Sequence, residues 1–413
     1  MPGLVDHTRT KVDGVIHTIE ALQALDYPFE DSRRTLELVA ADFRTLREDL
    51  KLVTPQTDAG VVDTLCRGAL HAVEKYLPIL GFLSRTSDLE APVELHGPLL
   101  RLTCQAIQDD ALLVICSDWL YSPFTFLFPE LSKRGVVLVG MPRSESHNAL
   151  IAPLSGHELG HNIWQKANLQ GPYENAAMLA AIDEMKANWA AWKDRLGLDD
   201  PEKLSDLAGS KYWELPVAWA ARQAEETFCD LVGLLIFREA YLRAFEYLLA
   251  PGDSVRNVFH YPDLSDRFAV LVKAAAAKGI TVPPNYAAGV KKARVEVEEP
   301  FAQYAALADR VCSKLSDQLL NDAAHLVTQG KLSQYSEKEV AAAKAALNLA
   351  VPATGMTGIE NILIAAWEHA SNLNGFLGKS LPSVKDEDKE AVLHELTLKS
   401  FEVFEVEQRT KAK

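Results

Sequence analysis

The sequence predicts a mostly α-helical protein of the α+β class, in which a small β-sheet accompanies a helix that carries paired histidines. Apolar residues recur at intervals of three and four over residues 10–90 and again from residue 153 onward, as they do on the buried faces of helices. Between these segments, residues 112–116 and 136–139 form short β-branched runs bounded by turn-forming residues, which predicts the strands of a small sheet. With 413 residues, of which 48% are hydrophobic, the chain is long enough to form two or three subdomains.

The helical segments are expected to be interrupted at proline, glycine and polar clusters. In the N-terminal region, breaks are predicted near Pro28, Pro55 and Pro78. Residues 217–249 have few polar interruptions and are predicted to form one long helix inside the core. We therefore predict three regions, which are an N-terminal helical region at 1–94, a central region with the sheet and the histidine helix at 95–285, and a C-terminal helical region at 286–413.

Charge and cysteine content restrict the classes of partner and compartment. The formal net charge of −15 argues against general affinity for nucleic acid or anionic membranes, because phosphate binding depends on clustered Lys and Arg. The five cysteines are scattered and lack Cys-x-x-Cys spacing, which favours a reducing compartment. Neither a signal-peptide pattern nor a membrane-spanning apolar run occurs. We therefore expect a cytoplasmic protein whose partners are peptides or proteins, and the sequence leaves the oligomeric state open.

The segment from Leu154 to Asn162 contains the pattern His-Glu-x-x-His, formed by His157, Glu158 and His161. On a helix this spacing places two imidazoles one turn apart, with a carboxylate beside them. A catalytic zinc site keeps three protein ligands and leaves the fourth position for water. We predict that His157 and His161 bind Zn2+ and that Glu158 acts as the general base toward the water.

A second acidic pattern offers the third metal ligand. Glu226 and Asp230 are four residues apart and share one face of the predicted helix. Glu226 is predicted to bind the metal, while Asp230 accepts a hydrogen bond from the far ring nitrogen of a ligating histidine. Glu225 competes for the ligand role, but it points about 100° away from Glu226 and has no acidic partner four residues on. The alternative for this segment is a solvated Glu-Glu pair.

Together these residues resemble the gluzincin metallopeptidases, the thermolysin-like superfamily in which His-Glu-x-x-His is completed by a Glu from a later helix bearing Glu-x-x-x-Asp. Gly233 stands where several of these families also carry Gly. The resemblance covers about residues 110–275 and implies a zincin-like catalytic core, with the sheet next to the metal-binding helix and helical regions on either side. It also implies zinc-dependent hydrolysis of peptide bonds, compatible with narrow specificity in a regulatory, stress or defence role.

A later segment is similar to the His-Pro…Arg stretch that follows the ligand Glu in the CaaX-protease-like and heat-shock-type zincins. Pro262 and Arg267 have the same spacing, but Tyr261 rather than His precedes the proline, and His260 stands one position earlier. We expect Tyr261, His260 or Arg267 to donate a hydrogen bond to the oxyanion of a tetrahedral intermediate. The alternative is a helix start with a structural Arg.

The main alternative from another class is a non-catalytic zincin-like protein that binds or scaffolds other proteins around a structural zinc. Such a site would have a fourth protein ligand and no open position for water. Cys229, inside the apolar helix, is predicted to be a buried small side chain, and His147 to be a loop residue rather than a ligand. The leading prediction is therefore a zinc metallopeptidase.

Overall fold

The computed structural model describes residues 3–207, 211–252, 261–293, 298, 301–377 and 380–411. Within these residues the protein is mostly helical and has one three-stranded sheet, which confirms the predicted fold class at this level. Contacts divide the chain into two compact units, the first comprising Met1–His96 and Asp110–His147, the second Gly97–Asp109 and Asn148–Lys413. In the described part of the chain, every helix is too short or too polar to cross a membrane.

The first unit combines the N-terminal helices with the sheet. Its main elements in chain order are α1 (Leu4–Gln23), α2 (Glu30–Lys51), α3 (Ala59–Arg85), the first residue of α4 (His96–Ala106), β1 (Leu112–Asp118), β2 (Phe124–Thr125), α5 (Pro129–Ser132) and β3 (Val136–Pro142). The strand order is β1-β3-β2; β1 and β3 are parallel, with Leu112 opposite Val136, and β2 is antiparallel to β3. β1 and β3 are buried almost throughout, as parallel strands usually are. This burial explains why their sequences are continuously apolar.

The breaks predicted at proline are confirmed at two positions. Pro28 and Pro55 lie in the connections that follow α1 and α2. The break predicted near Pro78 is wrong, because α3 continues through it to Arg85. The turns after this proline contribute buried side chains such as Phe82 to the core of the unit, and this packing outweighs the lost backbone hydrogen bond.

The second unit is helical and is built around one central helix. Its main elements in chain order are the remainder of α4, the 3-10 segment Ala149–Leu154, α6 (Ser155–Lys166), α7 (Gln170–Ala187), α8 (Trp189–Leu196), the 3-10 segment Pro201–Leu207, α9 (Lys211–Phe237), α10 (Glu239–Leu249), α11 (Leu264–Ala277), α12 (Phe301–Gln329), α13 (Glu337–Asn348), α14 (Ile359–Ala370) and α15 (Lys389–Lys411). α9 has its most extensive contacts with α12 and α6, and it also packs against α7 and α11. Most α9 side chains from Trp219 to Phe237 are fully buried, as expected for a helix that is apolar on nearly all sides.

The long helix predicted over residues 217–249 is interrupted, so that prediction is wrong in one respect. α9 ends at Phe237, Arg238 has a positive φ of 55°, and α10 begins at Glu239. This change of direction lets α10 pack on α9, where a Cβ on Gly233 would lie only 2.3 Å from Cε2 of Tyr241. Apolar content alone does not reveal such a reversal, because both helices remain in the core.

The C-terminal helices belong to the same unit as α6 and α9. α12 packs along α9, and the indole of Trp367 in α14 donates a 2.9 Å hydrogen bond to the carbonyl oxygen of Leu150. Leu150 lies in the 3-10 segment that leads directly into α6. The units thus group the chain differently from the three regions expected from composition: the strands group with the N-terminal helices, and the C-terminal helices help to hold α6 and α9.

Candidate metal centre

The pattern His-Glu-x-x-His lies on α6, as its periodicity predicts. His157 and His161 are one turn apart, with ring centroids 5.0 Å from each other. Their side chains are only 12% and 13% exposed, and Glu158 between them is buried. α6 therefore holds two shielded imidazoles and a shielded carboxylate within one turn and a half.

Glycine allows α6 and α9 to approach each other at backbone contact distance. A Cβ on Gly160 would lie 2.7 Å from the Cα of Cys229, and a Cβ on Gly156 would lie 2.9 Å from the Cα of Gly233. Any side chain at either position of α6 would therefore collide with the backbone of α9. This approach brings the acidic side chains of α9 against the imidazoles of α6.

Glu226 faces both histidines. Its Oε2 lies 3.3 Å from Nε2 of His157, and its Oε1 lies 3.7 Å from Nε2 of His161. In a tetrahedral zinc site with bonds of about 2.0–2.1 Å, ligand atoms are roughly 3.3 Å apart, so each of these two separations is close to that between a pair of ligands. Among the described residues Oε2 of Glu226 has no hydrogen-bond partner although it is buried, and its contact with His157 does not meet hydrogen-bond geometry. An oxygen that binds a metal ion does not need a hydrogen-bond donor from the protein. A buried carboxylate oxygen without such a donor is therefore what a metal ligand is expected to show.

The other ring nitrogen of each histidine is bonded to a carboxylate. Nδ1 of His157 lies 2.8 Å from Oδ1 of Asp230, and Nδ1 of His161 lies 2.8 Å from Oε1 of Glu225. When Nδ1 donates to a carboxylate, the lone pair of the neutral ring is on Nε2, the atom that faces Glu226. The expected contact of Asp230 with a histidine is therefore present, and Glu225 has a role that the sequence interpretation did not assign to it.

Asp230 is the centre of a buried polar network. Arg267 binds it with two hydrogen bonds, from Nε to Oδ2 at 2.7 Å and from Nη2 to Oδ1 at 2.8 Å, and the hydroxyl of Tyr241 donates to Oδ1 at 2.9 Å. Burial would raise the pKa of Asp230, but the guanidinium of Arg267 and the ring of His157 hold it well below its usual range. Asp230 therefore stays ionised behind His157.

This network changes the expectation for Arg267. Arg267 was one of three candidates to donate to the oxyanion, yet its Nε and Nη2 are both engaged by Asp230, and its side chain is only 10% exposed. This contact fits the alternative of a structural Arg. Arg267 holds the carboxylate of Asp230 in position. An arginine committed to a buried carboxylate is poorly placed to meet a substrate as well.

The ionisation of the candidate ligands follows from their surroundings. Burial would lower the pKa of His157, but its contacts with Asp230 and Glu226 outweigh burial and raise the pKa to about 10. Burial would raise the pKa of Glu226, and His157 lowers it below its ordinary value. Burial raises the pKa of Glu158. A metal ion that binds Nε2 of His157 must therefore displace a proton.

Tyr261 is the remaining described candidate for the oxyanion contact. Its residue is 44% exposed, and its ring centroid lies 5.7 Å from Cζ of Arg267. Partial burial and the carboxylate of Glu226 raise the pKa of Tyr261, so its hydroxyl keeps its proton at neutral pH and can donate. His260 lies outside the described residues.

Cys229 is a further potential ligand. Ligand atoms of His157, His161 and Cys229 can be chosen that all lie within 4.8 Å of one another. Cys229 is fully buried at the contact between α6 and α9, which confirms the predicted burial, and burial among carboxylates raises the pKa of its thiol well above the ordinary value. Charge therefore favours Glu226, whose pKa is lowered, over Cys229 as the third ligand.

The contacts that two residues make at the centre were not predicted from the sequence, for different reasons. Glu225 directly precedes Glu226, and the adjacent acidic pair was its only signal. Tyr241 bonds to Asp230 across the reversal at Arg238, and no helical spacing relates positions on two separate helices. The reversal itself would have had to be predicted first.

Comparison of the chain with models of protein families, with curated proteins and with solved structures finds no match. The resemblance to the gluzincins therefore depends on the motif residues and on the geometry that surrounds them. That geometry is a set of two imidazole nitrogens and a carboxylate that converge, with a second carboxylate, Glu158, beside them.

Proposed function

We propose that this protein is a zinc-dependent metallopeptidase with a gluzincin-like centre. The observation that carries the proposal is the position of the Glu226 carboxylate, whose unpartnered Oε2 lies 3.3 Å from Nε2 of His157 and whose Oε1 lies 3.7 Å from Nε2 of His161, while a second carboxylate engages Nδ1 of each imidazole. Two histidines and a glutamate are a donor set typical of catalytic zinc, and carboxylate-oriented histidines are typical of such sites.

A zinc ion held by these three residues would supply a Lewis acid and would allow water to lose a proton near neutral pH. In this proposal, Glu158 accepts that proton as the water attacks the peptide carbonyl, and then transfers it to the leaving amine. Tyr261 donates its hydroxyl proton in a hydrogen bond to the oxyanion that develops on the carbonyl oxygen. Asp230 and Glu225 fix the orientation of the two imidazoles, and Arg267 fixes the position of Asp230.

The substrate in this proposal is a peptide or protein in a reducing compartment such as the cytoplasm. The five scattered cysteines, without Cys-x-x-Cys spacing, support the compartment. The net charge of −15 supports a peptide or protein rather than a nucleic acid. A narrow, regulatory specificity remains part of the proposal.

The second candidate function is a zincin-like binding or scaffold protein with a structural metal. Its supporting observation is Cys229, whose Sγ lies close enough to the imidazoles to act as an additional protein ligand. A site closed by a thiolate would leave no position for water and so no hydrolysis. Cobalt substitution distinguishes the two, because a thiolate ligand adds a sulfur-to-cobalt absorption band in the near ultraviolet that a Cys229→Ser variant lacks.

The test of the proposed function combines metal content with cleavage of a mixed peptide library, analysed by mass spectrometry. Wild type and Glu158→Gln should contain stoichiometric zinc, and His157→Ala should lose it. Only the wild type and a control variant, His325→Ala, which alters an exposed histidine of α12, should cleave peptides. Zinc without cleavage in the wild type would favour the scaffold, and absence of metal would overturn both candidates.

A further inference from the structure

The loop that connects β1 with β2 exposes three large apolar side chains in succession. Trp119 is 80% exposed, Leu120 54% and Tyr121 66%. Single apolar residues are common on protein surfaces, whereas contiguous exposed apolar patches mark binding sites. Residues 119–121 are called the apolar loop below.

The apolar loop is fixed at both of its ends. At the β1 end, Oδ2 of Asp118 lies 3.0 Å from Nη2 of Arg85, and Oδ1 of Asp118 accepts a 3.3 Å hydrogen bond from the backbone N–H of Leu120. At the β2 end, the ring of Phe124 occupies the place that a Cβ on Gly140 would take. A surface that is fixed in this way loses less conformational freedom when a partner binds.

Charged side chains border the apolar loop. Cζ of Arg143 lies 5.1 Å from the ring centroid of Trp119, which is within the range of a cation–π contact. The same guanidinium pairs with two exposed carboxylates, Glu90 and, at 3.3 Å, Asp88. Because one positive charge faces two negative charges, this border is acidic on balance.

The residue types of this surface are those expected at an interface. Trp, Tyr and Arg are the most enriched among the residues that contribute most of the binding free energy between proteins. Trp119, Tyr121 and Arg143 provide one of each. The carboxylates of Asp88 and Glu90 correspond to the polar rim that surrounds the centre of an interface.

The charges discriminate between the candidate occupants of this surface. A second copy of the chain would bring the same excess of carboxylates, and each copy has a net charge of −15, so electrostatic repulsion opposes self-association. The same net charge opposes binding to an anionic membrane. A segment of another protein that places Lys or Arg next to apolar side chains complements both the apolar loop and its acidic border.

We infer that the apolar loop, with Asp88 and Glu90, is a docking surface for a peptide segment of another protein in which Lys or Arg stands next to large apolar residues. All residues of this surface belong to the first compact unit, whereas the proposed metal ligands belong to the second. The inference is therefore independent of the proposed peptidase function.

Selection from a random peptide library displayed on phage is the first part of the test. The bait is the full-length Glu158→Gln protein, which leaves bound peptides intact if the protein is a peptidase. The library is first depleted on the same protein with Trp119→Ser added. Enriched peptides are expected to combine large apolar residues with Lys or Arg. Absence of enrichment, or enrichment of peptides without basic residues, would overturn the inference.

The affinity of an enriched, fluorescently labelled peptide is the second readout. Trp119→Ser and Tyr121→Ser should each weaken its binding by about tenfold or more, as expected for residues at the centre of an interface. Leu52→Ser removes an exposed apolar side chain at the end of α2 and should bind the peptide like the unchanged protein. Equal affinities for all three variants would contradict binding at the apolar loop.

Removal of charge tests the acidic border. Asp88→Asn combined with Glu90→Gln should weaken peptide binding several-fold and reduce its dependence on salt, because fewer charge pairs form. The control is Asp13→Asn combined with Glu37→Gln, which removes two exposed charges from α1 and α2. Equal losses of affinity in the two double variants would show that net charge alone acts, and would contradict local complementarity.

Two measurements address the other occupants. Sedimentation equilibrium should show a monomer, and vesicles of phosphatidylcholine should not bind the protein. A dimer that Trp119→Ser dissociates would assign the surface to a second copy, and vesicle binding that Trp119→Ser abolishes would assign it to a membrane. Either result would overturn the inference. None of these readouts uses peptide cleavage, so a zinc-loaded protein that cleaves nothing would contradict only the proposed function.

Discussion

Nδ1 of His157 and Oδ1 of Asp230 lie 2.8 Å apart, although 73 residues separate them in the chain. The same carboxylate accepts two hydrogen bonds from Arg267 and one from Tyr241. One buried aspartate therefore links α6, α9, α10 and α11. Its position explains how the ring of His157 can be held by elements that are distant in sequence.

Replacing Asp230 by Asn should weaken metal binding. The amide keeps an acceptor for His157 but loses the charge that orients the ring, and loss of such a contact reduces metal affinity by about 10- to 100-fold. Competition with a zinc chelator measures the change. Asp183→Asn, on an exposed position of α7, should bind zinc like the wild type, and equal affinities for both variants would contradict the role of Asp230.

Replacing Arg267 by Met should lower the free energy of unfolding more than the loss of an exposed charge does. Asp230 would remain buried without its main counter-charge, and breaking one side of a buried pair costs about 3–5 kcal/mol of unfolding free energy. Denaturant titration measures this loss. The control is Lys273→Met on the same helix, whose pair with Asp317 is exposed and should contribute little. Similar losses of unfolding free energy in the two variants would contradict a larger contribution from the buried pair.

Replacing Glu225 by Gln tests the residue that the sequence offered as a competing metal ligand or as part of a solvated Glu-Glu pair. Because Glu225 accepts from Nδ1 of His161, its neutralisation should lower zinc affinity by about 10- to 100-fold. Glu174→Gln, at an exposed position of α7, provides the control. Unchanged affinity in Glu225→Gln would restore the solvated-pair interpretation.

Substituting Ala at Gly160 should separate α6 from α9. The new Cβ would lie 2.7 Å from the Cα of Cys229, and backbone displacement of this kind costs about 1–3 kcal/mol. Gly171→Ala is the matched control, since its Cβ would meet nothing within 4 Å, and a Gly-to-Ala change in a helix is expected to add roughly 0.5–1 kcal/mol. Thermal unfolding of both variants checks that Gly160→Ala destabilises the protein and that Gly171→Ala stabilises it. Zinc content is measured on the same samples.

Glu360 should make stability depend on pH. Burial raises the pKa of Glu360 from its ordinary 4.5 to about 7, although Ser333 and the backbone of Gln334 donate hydrogen bonds to it. The folded state therefore binds the proton more tightly than the unfolded state, and stability falls as pH rises from about 4.5 to about 7, by about 3 kcal/mol.

Urea unfolding of wild type and Glu360→Gln across this pH range measures the effect. The variant keeps a carbonyl acceptor but cannot ionise, so its stability relative to the wild type should grow with pH. Glu337→Gln, an exposed position at the start of α13, should follow the wild-type curve. Parallel curves for wild type and Glu360→Gln would contradict the raised pKa of this carboxyl.

Local spacing was sufficient for much of the fold and part of the site. The strands at 112–116 and 136–139 were predictable because uninterrupted β-branched runs are typical of buried parallel strands. Helical periodicity similarly placed His157 and His161 on one face of α6. The reversal at Arg238 was not predictable from this signal, because the sequence stays apolar on both sides of it.

The sequence by itself determined which candidate donors share a helix face, since His157 and His161 stand four residues apart on one helix and Glu226 and Asp230 four apart on another. Only the tertiary structure decided which partners these side chains meet. The glycine contact between α6 and α9 and the turn at Arg238 bring Glu225, Tyr241 and Arg267 into place. Such contacts depend on the distance and direction at which two helices pack, and helical periodicity carries no information about either.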